Sequence, residues 1–600
     1  MVHVRGVNFR VTYLLSGQFR TPSVKIRQFN ERITPFFMPL LSQTKASCSY
    51  KKAGKPKTAL QSRQQIIATM NLYDAITENV SKYPERVALK YFGMPVSYRK
   101  FGEMIETVAS GMYNLGICPG DVVCLALPST PESIATIYAL NKIGAMVSTI
   151  DVRLTAPQVV SIVNKLHAKM LFIMNFSIKD IAVEAKGMCV EHIVVMRGCE
   201  LFPKTVSSWY SFGELFNGRR RAYNSVDKFM HWSDLLALSY GNAPRYEWEA
   251  DAAQMIFQTS GTTGGSKSVM LTAENINVTV QYARRYYEEN KTSTTLCLIP
   301  IFAFSGFSAT VHDPLCYGQT VIIVPIWKPK DFIKTIAKHK PQFVFSVPSN
   351  WDTIYDRSNL SSDLSSLKAV VVAGDVMKPD FEHDLNDFLH HCGCQSDVIK
   401  MYGMTETAGV VAITQHQSPY KYQLGFSGCA IDGFKVEIVD GEVCVLHPSR
   451  LLGYYNNQEA TNNLLRVHED GKIWLHTGDF GHFDDEGNLY VTGRMKRMLV
   501  RFDGTKIFPV EIEDAMLRLP DVLDCAVVGI VDREHPQSSV PVAFCVVKSK
   551  GNRTASQIIR YASRELPVHL CPARIVPINK LPVSASGKVD LKKLEKMAME

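Results

Sequence analysis

The segment at residues 259–268 combines residue types that bind phosphate groups in proteins. It contains several hydroxyl side chains, three glycines and one lysine, and it directly follows a short apolar run at 255–257. Glycines let the backbone approach a phosphate and turn several N–H groups toward it, and the lysine adds a mobile positive charge. Each hydrogen bond to a charged group contributes about 1.5–3 kcal/mol, so several converging donors could hold a triphosphate. The candidate phosphate-binding residues are Thr259, Ser260, Gly261, Thr262, Thr263, Gly264 and Lys267.

Two other interpretations of this segment stay open at this point. A Walker A loop requires Gly-x-x-x-x-Gly-Lys-Ser/Thr. Gly261, Lys267 and Ser268 have that spacing, but Ser266 occupies the position of the second glycine. A composition rich in Gly, Ser and Thr also suits a flexible linker. Because a linker needs neither the lysine nor the preceding apolar run, the pattern favours phosphate binding.

Residues 260–267 resemble a known family signature, Ser-Gly-Thr-Thr-Gly-x-Pro-Lys, with Ser266 in place of the proline. This signature belongs to the adenylate-forming superfamily of acyl-CoA synthetases, luciferases and peptide-synthetase adenylation domains. Proline fixes φ, so the serine loosens the loop slightly while leaving every donor in place. Further resemblances follow in the family's order over the chain from about residue 71 to the C-terminus.

Two of these resemblances concern the adenine and phosphate side of a nucleotide site. Residues 402–406, Tyr-Gly-Met-Thr-Glu, are similar to the family's Tyr-Gly-x-Thr-Glu motif, in which the tyrosine stacks on adenine, the threonine reaches the α-phosphate and the glutamate holds Mg²⁺. A carboxylate suits Mg²⁺, a hard cation that prefers oxygen ligands. Residues 373–375 correspond to the family's adenine-side loop after a strand. The positions implied here are Gly374, Asp375, Tyr402, Gly403, Thr405 and Glu406.

The remaining resemblances concern charged residues in the last quarter of the chain. Residues 474–479, Trp-Leu-His-Thr-Gly-Asp, are similar to the segment whose aspartate binds the ribose hydroxyls, which implies that role for Asp479. In the same way Arg494 is expected at the ribose and Lys496 at the hinge between a large and a small domain. Residues 582–588 resemble Pro-x-x-x-x-Gly-Lys, whose lysine, here Lys588, enters the active site from the small domain. The expected catalytic residues are Lys588, Thr405 and Lys267.

The sequence departs from the family pattern on the side of the acyl group. Ala303 stands where the family has histidine in Pro-x-Phe-His, and Ala273 stands where many members have histidine after the signature loop. The segment at 497–504 is one residue longer than the common spacing. Phe302, Phe304 and Phe307 could line an acyl tunnel, but aromatic residues at a sheet edge are more often part of the core.

The elements that position these residues follow an α/β pattern. Short apolar runs at 122–127 and 369–373 predict buried strands, and the period of apolar residues at 98–115 predicts an amphipathic helix. Strands and helices alternate to about residue 420, which favours a mostly parallel, helix-covered sheet, and short strands with turns follow residue 425. We therefore expect a large α/β adenylating domain with a β-rich part at 66–494, and a mobile, small α+β lid at 495–600.

Another candidate metal site is the cluster formed by His390, His391, Cys392 and Cys394. Structural zinc sites need further ligands at a fixed spacing, and no Cys-x-x-Cys pair accompanies this cluster. The pattern favours the polar end of a helix followed by a glycine turn.

The charge of the chain is concentrated in its first 65 residues. Those residues hold 12 Lys and Arg against a single acid, Glu31, and the remaining 535 residues sum to −2 of the net +9. The charge therefore gives no indication of a nucleic-acid-binding body. The basic, nearly acid-free leader is typical of a mitochondrial presequence, with a basic tail on a cytoplasmic protein as the alternative. No apolar run of membrane-spanning length occurs, and the sequence does not predict an oligomeric state.

Together the resemblances imply an ATP-dependent, AMP-forming acid–thiol ligase. It would activate a fatty or aromatic carboxylic acid as an acyl-adenylate, with ATP and Mg²⁺, and transfer the acyl group to coenzyme A. Three alternatives are an adenylate-forming enzyme with another acceptor, an inactive binding homologue, and a P-loop kinase. Ser266 and the later motifs disfavour the kinase, and the retained charged residues disfavour the inactive homologue.

Overall fold

The structure is a computed structural model that describes most of the chain from Met70 onward. The described residues are 70–198, 200, 219–259, 266–277, 292–414, 422–447, 449–502, 505–519, 522–547, 558, 560, 562, 564, 567, 571–582 and 589–600. The basic leader, the glycine-rich segment at 260–265 and Lys588 therefore lie outside the described residues. Among the described residues, no helix combines the length and apolar composition that crossing a membrane requires.

The first of two large sheets, sheet A, has eight strands in the described part of the chain. Six of them run parallel. At one edge Lys267–Leu271 pairs antiparallel with Met255–Thr259, and Gly453–Tyr454 pairs antiparallel with Lys267–Leu271. In spatial order the strands are Gly453–Tyr454, Lys267–Leu271, Met255–Thr259, Met146–Thr149, Val122–Ala126, Met170–Met174, His192–Met196 and Phe229–His231.

The second large sheet, sheet B, has fourteen described strands and changes from parallel to antiparallel pairing along its width. Its parallel part, closed at one edge by the antiparallel Met94–Ser97, contains Val87–Tyr91, Thr320–Ile323, Thr294–Cys297, Phe343–Ser346, Ala369–Ala373 and Val398–Met404. Its antiparallel part contains Gly409–Ile413, Phe426–Ala430, Leu489–Arg494, Ile473–Phe483, Leu465–Val467, Glu442–Leu446 and Lys435–Val439.

Helices cover the two sheets, and most of them connect parallel strands. The described helices before residue 500 are Leu72–Lys82, Tyr98–Asn114, Pro131–Lys142, Ala156–Lys165, Ile178–Glu184, Arg219–Tyr223, Trp232–Ala237, Phe304–Phe307, Asp313–Cys316, Phe332–His339, Pro379–His391 and Gln458–Leu464. This alternation of strand and helix confirms the expected α/β class.

Local sequence explains the elements that were predicted. Every residue of Val122–Ala126 is buried, as expected for a strand covered on both faces, and Ala369–Ala373 has the predicted bounds. The helix Tyr98–Asn114 begins at Ser97, whose hydroxyl accepts a hydrogen bond from the backbone N–H of Lys100 at 3.2 Å. The helix Pro379–His391 ends before Gly393, which has φ +88°. This confirms that the histidine and cysteine cluster is a helix end with a glycine turn.

A smaller α+β region follows Arg494. It contains the hairpin of Leu499–Val500 with Lys506–Ile507, and a three-stranded sheet, Val522–Val531, Ser539–Val547 and Arg574–Ile578, within the described residues. The helices Pro509–Leu517 and Leu591–Met599 pack against this sheet, and separate apolar clusters fill its two faces. The region agrees with the expected small α+β part; the boundaries at 65–66 and 494–495 stay predictions.

Candidate active site

One group of predicted residues lies where parallel strands of sheet B end. The strand Ala369–Ala373 runs beside Val398–Met404, with Ala373 paired to Met401. Gly374, at φ +85°, turns the chain directly after the first strand, and Asp375 follows on the surface. Tyr402 directly follows Met401 on the second strand. Ligands of open α/β sheets bind at this carboxyl edge, so the strands bring Gly374 and Tyr402 to one location.

Tyr402 belongs to a hydrogen-bonded group with Asp479 and Arg494. Its hydroxyl donates to Asp479 Oδ2 at 2.7 Å, and Arg494 Nε lies 2.9 Å from Asp479 Oδ1. Asp479 and Arg494 are direct partners on neighbouring antiparallel strands, and Arg494 also donates to the carbonyl of Thr477 at 3.1 Å. Sheet pairing therefore fixes a carboxylate between a phenol and a guanidinium.

Burial controls the protonation behaviour of this group. Asp479 is almost completely buried, which raises the pKa of its carboxyl, and the Arg494 guanidinium and the Tyr402 hydroxyl oppose that rise. Burial, reinforced by the Asp479 charge, also raises the pKa of Tyr402 well above its ordinary value. The phenol thus stays a hydrogen-bond donor, and Asp479 is the acceptor of the group.

Glu406 lies in a tight turn immediately after the strand that carries Tyr402. The turn Thr405–Thr407 is a short 3₁₀ segment that ends at Ala408 in the left-handed region, φ +52°. Glu406 is only 7% exposed, and its Oε1 accepts a hydrogen bond from the Tyr454 hydroxyl at 2.8 Å. Thr405 is partly exposed beside it. The turn therefore places a buried carboxylate beside a more accessible hydroxyl.

Lys267 approaches the same tyrosine from sheet A. Its Nζ lies 4.6 Å from the centre of the Tyr454 ring, within the range of a cation–π interaction. Thr259 and Lys267 are paired residues at the ends of two antiparallel strands, so the segment between them begins and ends here. Tyr454 is on the edge strand of sheet A, whereas Glu406 follows a strand of sheet B. The two sheets thus meet through Lys267, Tyr454 and Glu406.

The electrostatic balance at Glu406 suits a bound cation. Burial raises the pKa of the Glu406 carboxyl, while the Tyr454 hydroxyl, Arg494 and Lys267 lower it. The Tyr454 hydroxyl that donates to Glu406 is neutral, so this hydrogen bond does not cancel the charge of an ionised carboxylate. Oxygen ligands of this kind fit Mg²⁺. The influence of Arg494 on Glu406 also places the Asp479 group and the Glu406 group in one electrostatic environment.

Gly403 has a steric reason to be glycine. A Cβ at this position would lie 1.9 Å from the carbonyl oxygen of Gly409 on the adjacent strand. Real side chains do not tolerate such a contact with backbone atoms. The glycine therefore allows the two strands to approach between Tyr402 and Thr405.

The structure brings together most of the predicted residues that it describes. Lys267 and Glu406 contact Tyr454, and Thr259 is paired with Lys267. Tyr402, Asp479 and Arg494 form the second group. Ser260, Gly261, Thr262, Thr263, Gly264 and Lys588 lie outside the described residues, and their roles stay predictions. The sequence analysis missed Tyr454, because its contacts depend on the pairing of Gly453–Tyr454 with Lys267–Leu271 and have no local signal.

The aromatic residues considered for an acyl tunnel differ in their surroundings. Phe307 is fully buried against Tyr138 and Phe257, and Phe304 is buried against Phe257 at a ring distance of 5.3 Å. Both are core residues. Phe302 is partly exposed with the Arg153 guanidinium 5.3 Å from its ring centre, and Ala303 next to it is also partly exposed. Of the three aromatic residues, Phe302 is therefore the accessible one.

Comparison with known families gives two matches along the chain. Residues 76–455 match the family described as AMP-binding enzyme, and residues 511–588 match its C-terminal domain. The first match covers more than half of the chain and includes Lys267, Tyr402, Glu406 and Tyr454.

Individual relatives extend these matches. A 4-coumarate–CoA ligase of Humulus lupulus, CCL1, is 27% identical over 542 residues, covering 86% of this chain and 92% of the relative. The fold is similar to that of the anthranilate CoA ligase AuaEII solved with anthranoyl-AMP, with a TM-score of 0.74, 21% identity, and coverage of 89% and 98%. ATP-bound MatB from Rhodopseudomonas palustris gives a TM-score of 0.74 at 19% identity, with coverage of 88% and 99%.

Proposed function

The chain belongs to the adenylate-forming family of AMP-binding enzymes, and we propose that it is an AMP-forming acid–thiol ligase. In this proposal it activates a carboxylic acid with ATP and then transfers the acyl group to coenzyme A. The observation that carries the proposal is that Lys267 and Arg494, the partner of Asp479, both act electrostatically on the buried Glu406 where the two sheets meet.

The chemistry needs this arrangement because a carboxylate is a poor acyl donor. Attack of the carboxylate oxygen on the α-phosphorus of ATP forms a mixed anhydride, the acyl-adenylate, and releases pyrophosphate. No covalent bond to the protein is required, so positioning and charge neutralisation supply the catalysis. A site built of fixed donors and cations between two rigid sheets suits that requirement.

Each predicted residue has a role in binding or charge balance. Asp479 accepts hydrogen bonds from the ribose hydroxyls, and Arg494 orients that carboxylate. Lys267 and the hydroxyls of residues 259–263 hold the β- and γ-phosphates. Glu406 holds Mg²⁺, which when bound neutralises phosphate charge. Lys588 stabilises the negative charge that develops between the carboxylate and the α-phosphate.

The acid is proposed to be aromatic or fatty. The relatives that support an aromatic acid are named for 4-coumarate and anthranilate. Ala303 stands where the family motif has histidine, next to the accessible ring of Phe302. This smaller side chain is compatible with either class of acid. A panel of both classes, scored by ATP–pyrophosphate exchange, identifies the acid, and the same panel with coenzyme A tests thioester formation.

The experiment that tests the adenylation step is Lys588→Ala, with Lys592→Ala as the matched control in the same lysine-rich tail. Loss of one preorganised charge should reduce acid-dependent AMP formation by about 10²–10³-fold. The control should retain wild-type activity. AMP formation at the wild-type rate in Lys588→Ala contradicts the proposed mechanism, and ADP as the product contradicts the proposed reaction.

A further inference from the structure

Three potential metal ligands that are far apart in sequence lie together in sheet B. Cys444 and His476 are direct partners on adjacent antiparallel strands, and His468 is in the turn before the strand that carries His476. His468 Nε2 lies 2.9 Å from His476 Nε2, and Cys444 Sγ lies 3.8 Å from the same nitrogen. One ligand atom from each residue lies within 4.8 Å of the others.

These separations are close to those of a tetrahedral zinc site. With Zn–N of about 2.0–2.1 Å and Zn–S of about 2.3 Å, tetrahedral geometry separates two nitrogens by about 3.3 Å and nitrogen from sulfur by about 3.6 Å. The His468–His476 nitrogen separation and the distance from Cys444 Sγ to Nε2 differ from these values by a few tenths of an ångström. Because Cys444 Sγ lies nearer to His476 Nδ1, at 3.5 Å, the Cys444 side chain would have to rotate toward the Nε2 side of the ring to complete the geometry, with water as the fourth ligand.

Neighbouring residues already orient the two imidazoles. His476 Nδ1 lies 2.8 Å from Glu442 Oε2, which directs Nε2 toward His468. A carboxylate that holds the far nitrogen of a ligating histidine is the usual second partner of a zinc site. The His468 ring stacks on the buried Trp474, with ring centres 4.9 Å apart and planes at 9°. The two histidines are therefore oriented before any ion binds.

Charge and burial also match a divalent ion. Cys444 is fully buried and His476 is 6% exposed, while His468 is more accessible and provides an entry side. One thiolate and the Glu442 carboxylate together balance two positive charges, so a buried ion would not remain uncompensated. A simple hydrogen bond between His468 and His476 would also account for the 2.9 Å contact. It would not explain why Cys444 lies beside the two histidines.

We propose that Cys444, His468 and His476 bind one zinc ion, with Glu442 orienting His476. This site is separate from the proposed adenylation chemistry and does not depend on it. Glu442 Oε1 also accepts the backbone N–H of Gly478 at 2.8 Å, and Gly478 directly precedes Asp479. The ion braces the strand segment that presents Asp479.

The test uses the full chain after treatment with a chelator, titrated with Co²⁺ as a spectroscopic substitute for zinc. One equivalent should produce a thiolate-to-cobalt charge-transfer band and tetrahedral visible bands, and Zn²⁺ should remove both. Cys444→Ser should lose the charge-transfer band. His468→Asn should weaken binding by at least tenfold, and Glu442→Gln by about 10–100-fold, as expected for the loss of a partner that orients a ligand.

His482→Asn is the matched control, because His482 is an exposed histidine on the same strand and stacks on Tyr490 at 5.1 Å. It should bind Co²⁺ as the wild type does. The proposal is wrong if the wild type gives no charge-transfer band, if the band persists in Cys444→Ser, or if His468→Asn binds with wild-type affinity. Should Cys444→Ser fail to fold, the titration of His468→Asn decides, since His468 lies in a partly exposed turn.

Discussion

Two buried glutamates flank the strand Val398–Met404 and have different surroundings. Glu382 is 1% exposed and forms an ion pair with Lys400, Nζ to Oε2, at 2.6 Å. Glu406 is 7% exposed and receives its hydrogen bond from the neutral hydroxyl of Tyr454. Among the residues that the structure describes, no ion pair involves Glu406.

This difference separates a structural charge from a binding charge. Burial lowers the pKa of the Lys400 ammonium and the Glu382 carboxylate opposes that shift, so the two groups depend on each other. Glu406 has lysine and arginine in its electrostatic surroundings, but its direct side-chain partner is a neutral hydroxyl. Buried groups with shifted pKa values cluster at functional sites, which supports the proposed binding role of Glu406.

Removing the partner of a buried ion should have the largest effect on folding. Glu382→Gln removes the carboxylate that pairs with the buried Lys400 ammonium, so we expect the free energy of unfolding to fall by about 3–5 kcal/mol. Urea unfolding measures the change. Asp387→Asn, on the exposed side of the same helix, is the control and should change stability by less than about 0.5 kcal/mol. Equal stability of Glu382→Gln and wild type would mean that the pair is not structural.

Glu406→Gln should show the opposite pattern, a loss of activity without a loss of stability. Without the carboxylate, acid-dependent AMP formation should fall by about 10²–10³-fold. The amide oxygen can still accept from Tyr454, so the protein without nucleotide should be at least as stable as wild type. Thermal unfolding and pyrophosphate exchange measure the two effects. If Glu406→Gln loses stability but keeps its activity, Glu406 has a structural role like that of Glu382.

Tyr454→Phe tests the neutral partner of Glu406. It removes the hydroxyl that donates to a buried carboxylate, so we expect a loss of about 1.5–3 kcal/mol in stability near neutral pH. The neighbouring Tyr455→Phe is the control, because its hydroxyl donates to the carbonyl of Leu166 at 3.3 Å, a bond between neutral groups. That control should lose about 0.5–1.5 kcal/mol. Similar losses of stability in Tyr454→Phe and Tyr455→Phe would mean that the hydrogen bond to Glu406 is no stronger than one between neutral groups.

The smallest expected effect is a pH dependence of the difference between wild type and Glu406→Gln. Burial raises the pKa of Glu406 in the folded protein above its ordinary value of 4.5. The folded state therefore binds the proton more tightly, and wild-type stability decreases as pH rises from the unfolded pKa through the folded pKa. Relative to wild type, the glutamine variant should thus gain stability over that window. Urea midpoints at matched pH values measure the gain, and a difference that is constant with pH would contradict the raised pKa.

Sequence patterns predicted the local elements well, whereas the roles of the motif residues stay predictions. The helix expected at 98–115 is Tyr98–Asn114, and the strand expected at 369–373 is Ala369–Ala373. Periodic burial and capping act over a few residues, so a single sequence contains them. The glycine-rich segment at 260–265 and Lys588 lie outside the described residues, so their roles in the site rest on the motif resemblance alone.

Contacts that depend on long-range strand pairing could not be predicted. Tyr454 and Glu406 are 48 positions apart, and their hydrogen bond requires two separate sheets to meet. Cys444, His468 and His476 come together only because the register of two antiparallel pairs aligns them. The compact His390–Cys394 pattern lacked the spacing of a metal site and was predicted to be a helix end, whereas the geometric cluster has no spacing that a sequence would reveal.

The close contact between Gly403 and Gly409 limits how the gene can vary. Gly409 itself has φ +121°, so both positions of the contact require glycine for separate reasons, one steric and one conformational. A replacement at either codon cannot be compensated by a change at the other. In a saturation-mutagenesis library selected for enzyme activity, these two positions should therefore return almost only synonymous changes, even though neither has a side chain that could touch a substrate.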